Sequence, residues 1–327
     1  MASEHIHPHS LIEHSSSQSH HHHDHAPVSH HFGGHHLLQV EDLSINFSMY
    51  DPFAPHFFSA KRQQTEAIHD LHISVHAGEI VAIVGASGSG KTLLANAILG
   101  IFAPNAHVTG RIWFDGVEQS PDMLAKLRGQ GISLVPQSIN SLDPLMKVGR
   151  QIQGDRRNRA RMLSLLARYG LPESVADLYP HELSGGMARR VLLCCALMDD
   201  PKVIIADEPT PGLDLQLAAQ AFLDFRDFAN AGGGVLLITH DIELALGVAD
   251  RIAVFWEGTV VEETSADSFS SPENLRHPFS KALWRALPEH DFSLTEKAGA
   301  QEWYFEGEAD PDRQIGAGGA GRAGINA

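Results

Sequence analysis

"IVAIVGASGSGKTLLANAILG", residues 80–100, decides the fold. Its first six residues, "IVAIVG", form a short apolar run of the kind found in a parallel strand covered on both faces. Gly85, Ala86, Ser87, Gly88, Ser89, Gly90, Lys91 and Thr92 then satisfy the spacing G-x-x-x-x-G-K-[ST]. A helix is expected from about Gly90 to Ile101. Each residue type has a task in that frame. Glycines let the backbone curl so that several N–H groups point inward at phosphate oxygens, and the helix start adds a positive dipole end. Lys91 can reach the β- and γ-phosphates, and the Thr92 hydroxyl can ligate Mg²⁺. A glycine-rich turn without a ligand would not need the strand before it and the helix after it. The motif specifies a nucleotide but no reaction.

A second acidic motif extends the reading. "KVIIADEPT" (202–210) ends an apolar strand on Asp207, where a carboxylate can hold the metal's water shell. Glu208 follows at once, placed to polarise an attacking water. An acid at the carboxyl end of a strand fits the rule that such sheets bind ligands there. Further strands fit "LLQVEDLSINFS" (37–48), "AIHDLHISVHAGE" (67–79), "RIWFD" (111–115), "GISLVP" (131–136), "GVLLITH" (234–240) and "RIAVFW" (251–256). Helical periodicity fits 158–169, 185–199, 215–230 and 242–249. Strands alternating with helices indicate an α/β core with a parallel sheet. "MYDPFAPHFFSAKRQQTE" (49–66) reads as a long loop, and about 138–182 as a helical insertion.

Composition narrows the classes. With 327 residues and 43% hydrophobic content the chain is globular. A formal charge of −16 argues against a nucleic-acid partner, which would show a basic stripe. Cys194 and Cys195 are adjacent in an apolar run and cannot build a disulfide framework, so they read as core residues of a cytoplasmic protein. No apolar run approaches the roughly 20 residues that span a bilayer, and no signal peptide is visible. Thirteen of the 22 histidines lie in residues 1–36, a polar leader expected to be disordered. Closely spaced imidazoles such as "HHHHDH" (20–25) can gather Ni²⁺ or Zn²⁺. A polar and then glycine-rich tail (291–327) is expected to be frayed.

"ELSGGMARRVLLCCALMDDP" (182–201) separates the remaining alternatives. Ser184, Gly185 and Gly186 sit just ahead of an apolar-periodic helix, offering a hydroxyl and free amides to an anion. The phosphate loop already fills that role for this chain's own nucleotide. A second anion site is best explained if it meets a γ-phosphate held by another subunit. At this point the sequence resembles the ATP-binding cassette family, whose signature LSGGQ stands here as "LSGGM". Six motifs agree in order: the phosphate loop, Gln137 in "LVPQSINSLDP", the signature (183–187), "VIIADEP" (203–209), "PGLD" (211–214) and His240 in "LLITHD".

The resemblance implies a P-loop NTPase (RecA-like) core with a parallel sheet, an N-terminal antiparallel β-subdomain and an inserted helical subdomain, spanning 37–265. It implies an ATPase using ATP and Mg²⁺, working as a head-to-tail dimer with nucleotide sandwiched at the interface. By analogy Thr92, Gln137 and Asp207 serve Mg²⁺, Glu208 is the general base, His240 and Lys91 contact the γ-phosphate, and Asp214 organises the facing site. Phe57 and Phe58 are candidates to stack on adenine. Met187 replaces the usual glutamine, as in the oligopeptide, dipeptide and nickel importer branch, while Pro211 stands where a small residue is common. "SINSLDPLMKVGRQI" (138–152) and "HPFSKALWRALP" (277–288), within an extension over 266–290, resemble the same branch. Partners implied are a second ATPase subunit (a heterodimer, or failing that a homodimer), two membrane permeases at the cytoplasmic face and an extracytoplasmic substrate-binding protein. Combined with the histidine leader, the branch leads to nickel or a metal chelate as the expected cargo, with peptides as the alternative. A metal-delivery GTPase would need an N-K-x-D-like motif, which is not visible. A DNA-repair cassette would need a long coiled coil between Lys91 and Ser184, which are only 93 positions apart.

Overall fold

The computed structural model describes residues 35–50, 62–154, 157–198 and 200–287. Leader residues 1–34, Phe57, Phe58 and the tail from 288 onward lie outside the described residues.

Two sheets organise the chain. The first is antiparallel, in the order β2-β1-β4-β5. It comprises β1 (His36–Tyr50), β2 (Arg62–His76), β4 (Ala106–Phe114) and the two-residue β5 (Val117–Glu118). The second runs β10-β9-β3-β8-β7-β6. Its parallel strands are β3 (Ile80–Gly85), β6 (Ile132–Val135), β7 (Val203–Asp207), β8 (Gly234–Ile238) and β9 (Arg251–Trp256). The edge strand β10 (Thr259–Ser265) pairs antiparallel with β9.

The wholly apolar strands are explained by what covers their two faces. Alternate residues of one strand enter different cores, because successive side chains of a strand point to opposite faces. Ile80, Ala82 and Val84 of β3 pack into a core shared with the helices, whereas Val81 and Ile83 pack toward the antiparallel sheet. The same division holds for Ile204 and Ala206 against Val203 and Ile205 in β7. Val235 and Leu237 against Leu236 and Ile238 repeat it in β8. The parallel sheet is thus a wall between two cores, which is why its strands show no polar alternation.

Helix α1 (Lys91–Ile98) follows β3, and α2 (Pro121–Leu127) follows β5. Between β6 and β7 lie α3 (Val148–Gln153), α4 (Arg159–Arg168) and α5 (Gly185–Met198), with two short 3₁₀ turns between α4 and α5. At the end of α4, Arg168 and the buried Tyr169 hydroxyl donate to Asp224 of α6 (Leu215–Asn230). Asp224 is itself buried, and burial in this contact pushes the Tyr169 phenol far above its ordinary value. Helix α7 (Ile242–Leu246) follows β8, and α8 (Ala266–Phe269) and α9 (Pro278–Arg285) follow β10. Helix α9 is capped by His277, whose Nδ1 accepts from the Phe279 N–H at 3.2 Å. Glu262 of β10 accepts from the Arg276 and His277 amides at 2.7 and 2.9 Å, and Trp256 lies against the His277 and Phe279 rings.

Several expected boundaries are corrected. The loop expected over 49–66 does not hold at its two ends, because β1 and β2 remain paired out to Tyr50 opposite Arg62. This outer arm pairs Ser48 with Gln64 and Phe47 with Thr65, so backbone pairing continues where the apolar signal has stopped. Strand β4 begins at Ala106 rather than at 111 for the same reason, its first half carrying polar and exposed residues. Helix α1 ends at Ile98 rather than Ile101, closed by Gly100 at φ 66°, and α7 ends at Leu246 rather than 249. Strand β10 was not expected: "TVVEETS" is half-buried throughout and lacks a clean alternation. Cys194 is fully buried in α5, where desolvation pushes its thiol up, and Cys195 packs at the edge of the same core.

Candidate active site

The parallel strands β3, β6, β7 and β8 end on one edge of the sheet, where Val135 pairs with Ala206, Asp207 with Ile238, and Ile83 with Ile238. The loops beyond that edge carry Gly85 to Lys91, Gln137, Glu208 and His240. This is where parallel α/β sheets bind ligands.

The phosphate loop is shaped by its glycines. A Cβ on Gly85 would lie 2.1 Å from the Phe255 carbonyl oxygen of β9, so only glycine allows that approach. Gly90, just before α1, has φ 109°, which is costly for any residue with a side chain. Ala86, Ser87 and Gly88 are exposed, and the Ser89 amide donates to the Ala86 carbonyl at 3.4 Å. Lys91 is buried, and its ammonium donates to the carbonyls of Gly85 (3.0 Å) and Ala86 (2.7 Å) and to Ser89 Oγ (3.4 Å). Burial lowers its pKa, and the negative charges of Glu208 and Asp207 oppose that effect. The cation therefore sits inside the curl of the loop, facing the acid pair.

Asp207 and Glu208 are both buried but differ in their bonding. Burial raises the Asp207 carboxyl, a hydrogen bond with the Thr92 hydroxyl works in the opposite direction, and Oδ1 has no hydrogen-bond partner. A buried, unpaired carboxylate oxygen is costly unless something binds it. With the exposed Thr92 hydroxyl it forms an oxygen-only donor pair, which suits a small hard cation such as Mg²⁺. Glu208 has φ 48°, in the left-handed region, and its amide donates to the Ile238 carbonyl at 2.8 Å. That turn carries its carboxylate toward His240: Oε2 lies 2.6 Å from Nδ1 and 3.4 Å from the His240 amide. The His240 ring is largely exposed, at 71%, whereas the Glu208 side chain is 11% exposed.

The structure therefore brings together Lys91, Thr92, Asp207, Glu208 and His240. Gln137 lies exposed just past β6, its backbone carbonyl held by Arg189 at 2.5 Å. Ser184, Gly185, Gly186 and Asp214 make no hydrogen bond to the phosphate loop. Ser184 Oγ accepts from the Met187 amide at 3.3 Å, starting α5, and Asp214 Oδ1 accepts from the Leu217 amide at 2.9 Å, starting α6. A Cβ on Gly185 would meet nothing within 4 Å, while one on Gly186 would lie 3.2 Å from the Gly212 carbonyl oxygen. Pro211 is exposed in the same turn. Arg189 was not anticipated as part of the site. Its sequence signal is the pair of arginines inside an otherwise apolar helix, "ARRVLL" (188–193).

Among the described residues no group of three or more His, Cys, Asp or Glu is placed to hold a metal ion, and no helix is long and apolar enough to cross a membrane. Comparison with known proteins places this geometry among relatives. Residues 68–211 match the family model described as ABC transporter. The chain is 36% identical to the oligopeptide transport ATP-binding protein of Lactococcus lactis subsp. cremoris over 271 residues, 77% of this chain and 76% of that one. It is 37% identical to the dipeptide transport ATP-binding protein of Escherichia coli over 273 residues, 77% of this chain and 79% of that one. Among solved structures, a dimeric ATP-binding cassette in a post-hydrolysis state with ADP and Pi superposes with a TM-score of 0.60 at 26% identity, covering 70% of this chain and 98% of that one. An ATP-binding subunit of an ABC transporter superposes with a TM-score of 0.60 at 24% identity, covering 76% and 98%.

Proposed function

We propose, from the premise that this chain belongs to the ABC transporter family and is an ATP-hydrolysing subunit of it, that it powers the uptake of di- or oligopeptides through a separate membrane permease. The observation that carries this cargo is the set of relatives named for oligopeptide and dipeptide transport, matched along most of both chains. The nickel or metal-chelate cargo expected from the histidine leader has no such support and gives way to the peptide reading. The leader keeps a narrower role in this proposal, gathering Ni²⁺ or Zn²⁺ on its imidazoles without being the route of a cargo.

The site supports hydrolysis by positioning and charge neutralisation. Amides of Gly85 to Thr92 and the Lys91 ammonium hold the phosphates. Thr92, Asp207 and Gln137 would hold Mg²⁺, which when bound neutralises charge on the phosphate oxygens. Glu208 orients a water and takes its proton as the water oxygen bonds to the γ-phosphorus and the bridging bond to ADP breaks. His240 is the natural partner of that step, because its Nδ1 already meets the same carboxylate. Ser184 to Gly186 and Asp214, where the Ser184 and Asp214 side chains accept hydrogen bonds from the starts of their own helices, complete the site of a second subunit in this reading. In this reading the second subunit is a different ATPase, two permeases supply the membrane path, and an extracytoplasmic binding protein selects the peptide. The chain works at the cytoplasmic face, peripheral to the membrane.

Two measurements test this. Purified from its own cells through a tag, the chain is expected to bring down permease subunits, and its loss is expected to abolish uptake of labelled di- or oligopeptides while sparing nickel uptake. The reverse pattern of uptake would overturn the cargo. Gly185→Glu, at a position with open space around it, is expected to leave ATP binding by the isolated chain intact and to block hydrolysis in the assembled complex. Loss of ATP binding by the isolated chain would overturn the reading of Ser184 to Gly186 as a partner's ligand.

A further inference from the structure

Arg189 is 5% exposed, in the second turn of α5. One guanidinium nitrogen donates to the Pro136 carbonyl at 2.7 Å and the other to the Gln137 carbonyl at 2.5 Å. Its Nε has no hydrogen-bond partner; burial lowers its pKa, and the Asp207 and Glu208 carboxylates oppose that effect without a direct hydrogen bond to it. Burying a guanidinium is expensive, and most buried charges recover the cost through an opposite charge. Here the acid pair acts only at a distance, and the forked donors go to two consecutive backbone carbonyls. Those carbonyls lie where β6 has just ended at Val135 and no neighbouring strand can satisfy them. The fork geometry of arginine is what allows one side chain to hold both, since the two N–H vectors are fixed relative to each other.

The neighbouring residue faces elsewhere. Arg190 donates from Nε to the Gly186 carbonyl at 3.1 Å and from a terminal nitrogen to the Tyr169 carbonyl at 3.0 Å, beyond the end of α4. Successive arginines on α5 therefore bind in two directions. Arg190 fixes the helix to the inserted helical segment, and Arg189 fixes it to the loop that carries Gln137. The first residues of that same helix are Gly185 and Gly186.

We propose that Arg189 is a positioning residue that locks the Gln137 loop to α5, so that the segment reading the partner's nucleotide and the loop serving this chain's own nucleotide move as one piece. The inference rests on the hydrolysis reading given above. Neither residue at the ends of this link needs to touch the other: rigid attachment to one helix is sufficient. A shift of α5 toward nucleotide on the partner would carry the Pro136–Gln137 backbone with it and change where the Gln137 side chain is presented. Displacing a group that aligns a reaction by about 1 Å costs on the order of 100-fold in rate, so a small slackening of the link is enough to matter.

The test compares Arg189→Met with Arg189→Lys in the full-length chain. Methionine keeps length and loses both hydrogen bonds, whereas lysine keeps the charge and can serve one carbonyl. In the complex purified from its own cells, Arg189→Met is expected to lower kcat for Mg·ATP by about 10- to 100-fold while KM stays within about twofold. Arg189→Lys is expected to recover part of that loss. Amide hydrogen exchange of the full chain is expected to accelerate over 134–142 in the methionine variant, less in the lysine variant, and to stay unchanged in β3 and β7. An unchanged kcat in Arg189→Met, or unchanged exchange over 134–142, would overturn the proposal. So would equal losses in both variants accompanied by faster exchange throughout the core, the pattern of a purely structural arginine. Failure of the underlying hydrolysis reading has its own signature: Glu208→Gln would then hydrolyse ATP normally, whatever Arg189 does.

Discussion

Asp207 and Glu208 are adjacent in the chain, yet the strand end gives them different surroundings. Asp207 closes β7 beneath the Thr92 hydroxyl with one oxygen unpaired, which suits it to a cation. Glu208 turns away through a left-handed backbone and meets His240, which suits it to a water. Glu208→Gln retains an oxygen to accept from His240 and loses the base. It is expected to reduce turnover by about 10²- to 10⁴-fold with ATP binding intact, and to sediment with its partner subunit as a stable closed dimer in Mg·ATP. Lys91→Ala is expected to differ, weakening nucleotide binding itself, because the ammonium inside the loop is the countercharge. Near-normal hydrolysis in Glu208→Gln would reject the assignment. These residues are legible in the sequence because their chemistry depends on short-range spacing along the chain, as in Gly85 to Thr92. Arg189 is not, because an arginine on a helix usually reads as a solvated charge, and only the turn after β6 shows which carbonyls it meets.

At the level of elements, the parallel strands were legible because covering both faces demands unbroken apolar runs. The outer half of β2 and the first half of β4 were not, since their pairing is carried by backbone groups beneath polar side chains, and β10 was not, because it is half-buried throughout without a clean alternation. Helix α9 gives this scale its prediction. His277 caps the helix with a lone pair on Nδ1, which protonation would remove. Burial lowers its pKa below the ordinary histidine value of 6.5, with the Glu262 carboxylate opposing. For a base depressed in the folded state, the cap's contribution is complete above about pH 6.5 and is lost as pH falls through the lowered folded value. Protection of the amides over 275–287, taken relative to the intrinsic exchange rate at each pH, is therefore expected to fall below pH about 6.5. His277→Asn, a cap that does not titrate, is expected to flatten that dependence. A dependence equally steep in the asparagine variant would show that another group carries it.

Across the whole molecule, every residue proposed to handle phosphate lies between Gly85 and His240. The first backbone tie of the described chain is made by His35, whose carbonyl accepts from the Ala77 amide at 3.0 Å. Removing residues 1–34 is accordingly expected to leave ATPase activity and the melting temperature unchanged while removing most Ni²⁺ or Zn²⁺ binding measured by calorimetry. In the intact chain that binding should fade below pH about 6.5 as the imidazoles protonate. Metal binding that survives the truncation would leave the leader without a role. The two cores share one sheet as their common wall, so the stability of the whole fold is exposed to local costs at that sheet's edge. Glu208 is such a cost: a left-handed backbone is worth roughly 1–2 kcal/mol against any residue bearing a Cβ, and folds of this kind have only about 5–15 kcal/mol in total. Glycine at 208 would relieve it. With Glu208 as the proposed base, mutational drift after a gene duplication would have a downhill direction here, toward a more stable copy that still grips ATP and no longer cleaves it. On that proposal selection for turnover, together with the hydrogen bond to His240, holds the glutamate in place, and a lineage freed from that selection should lose it early.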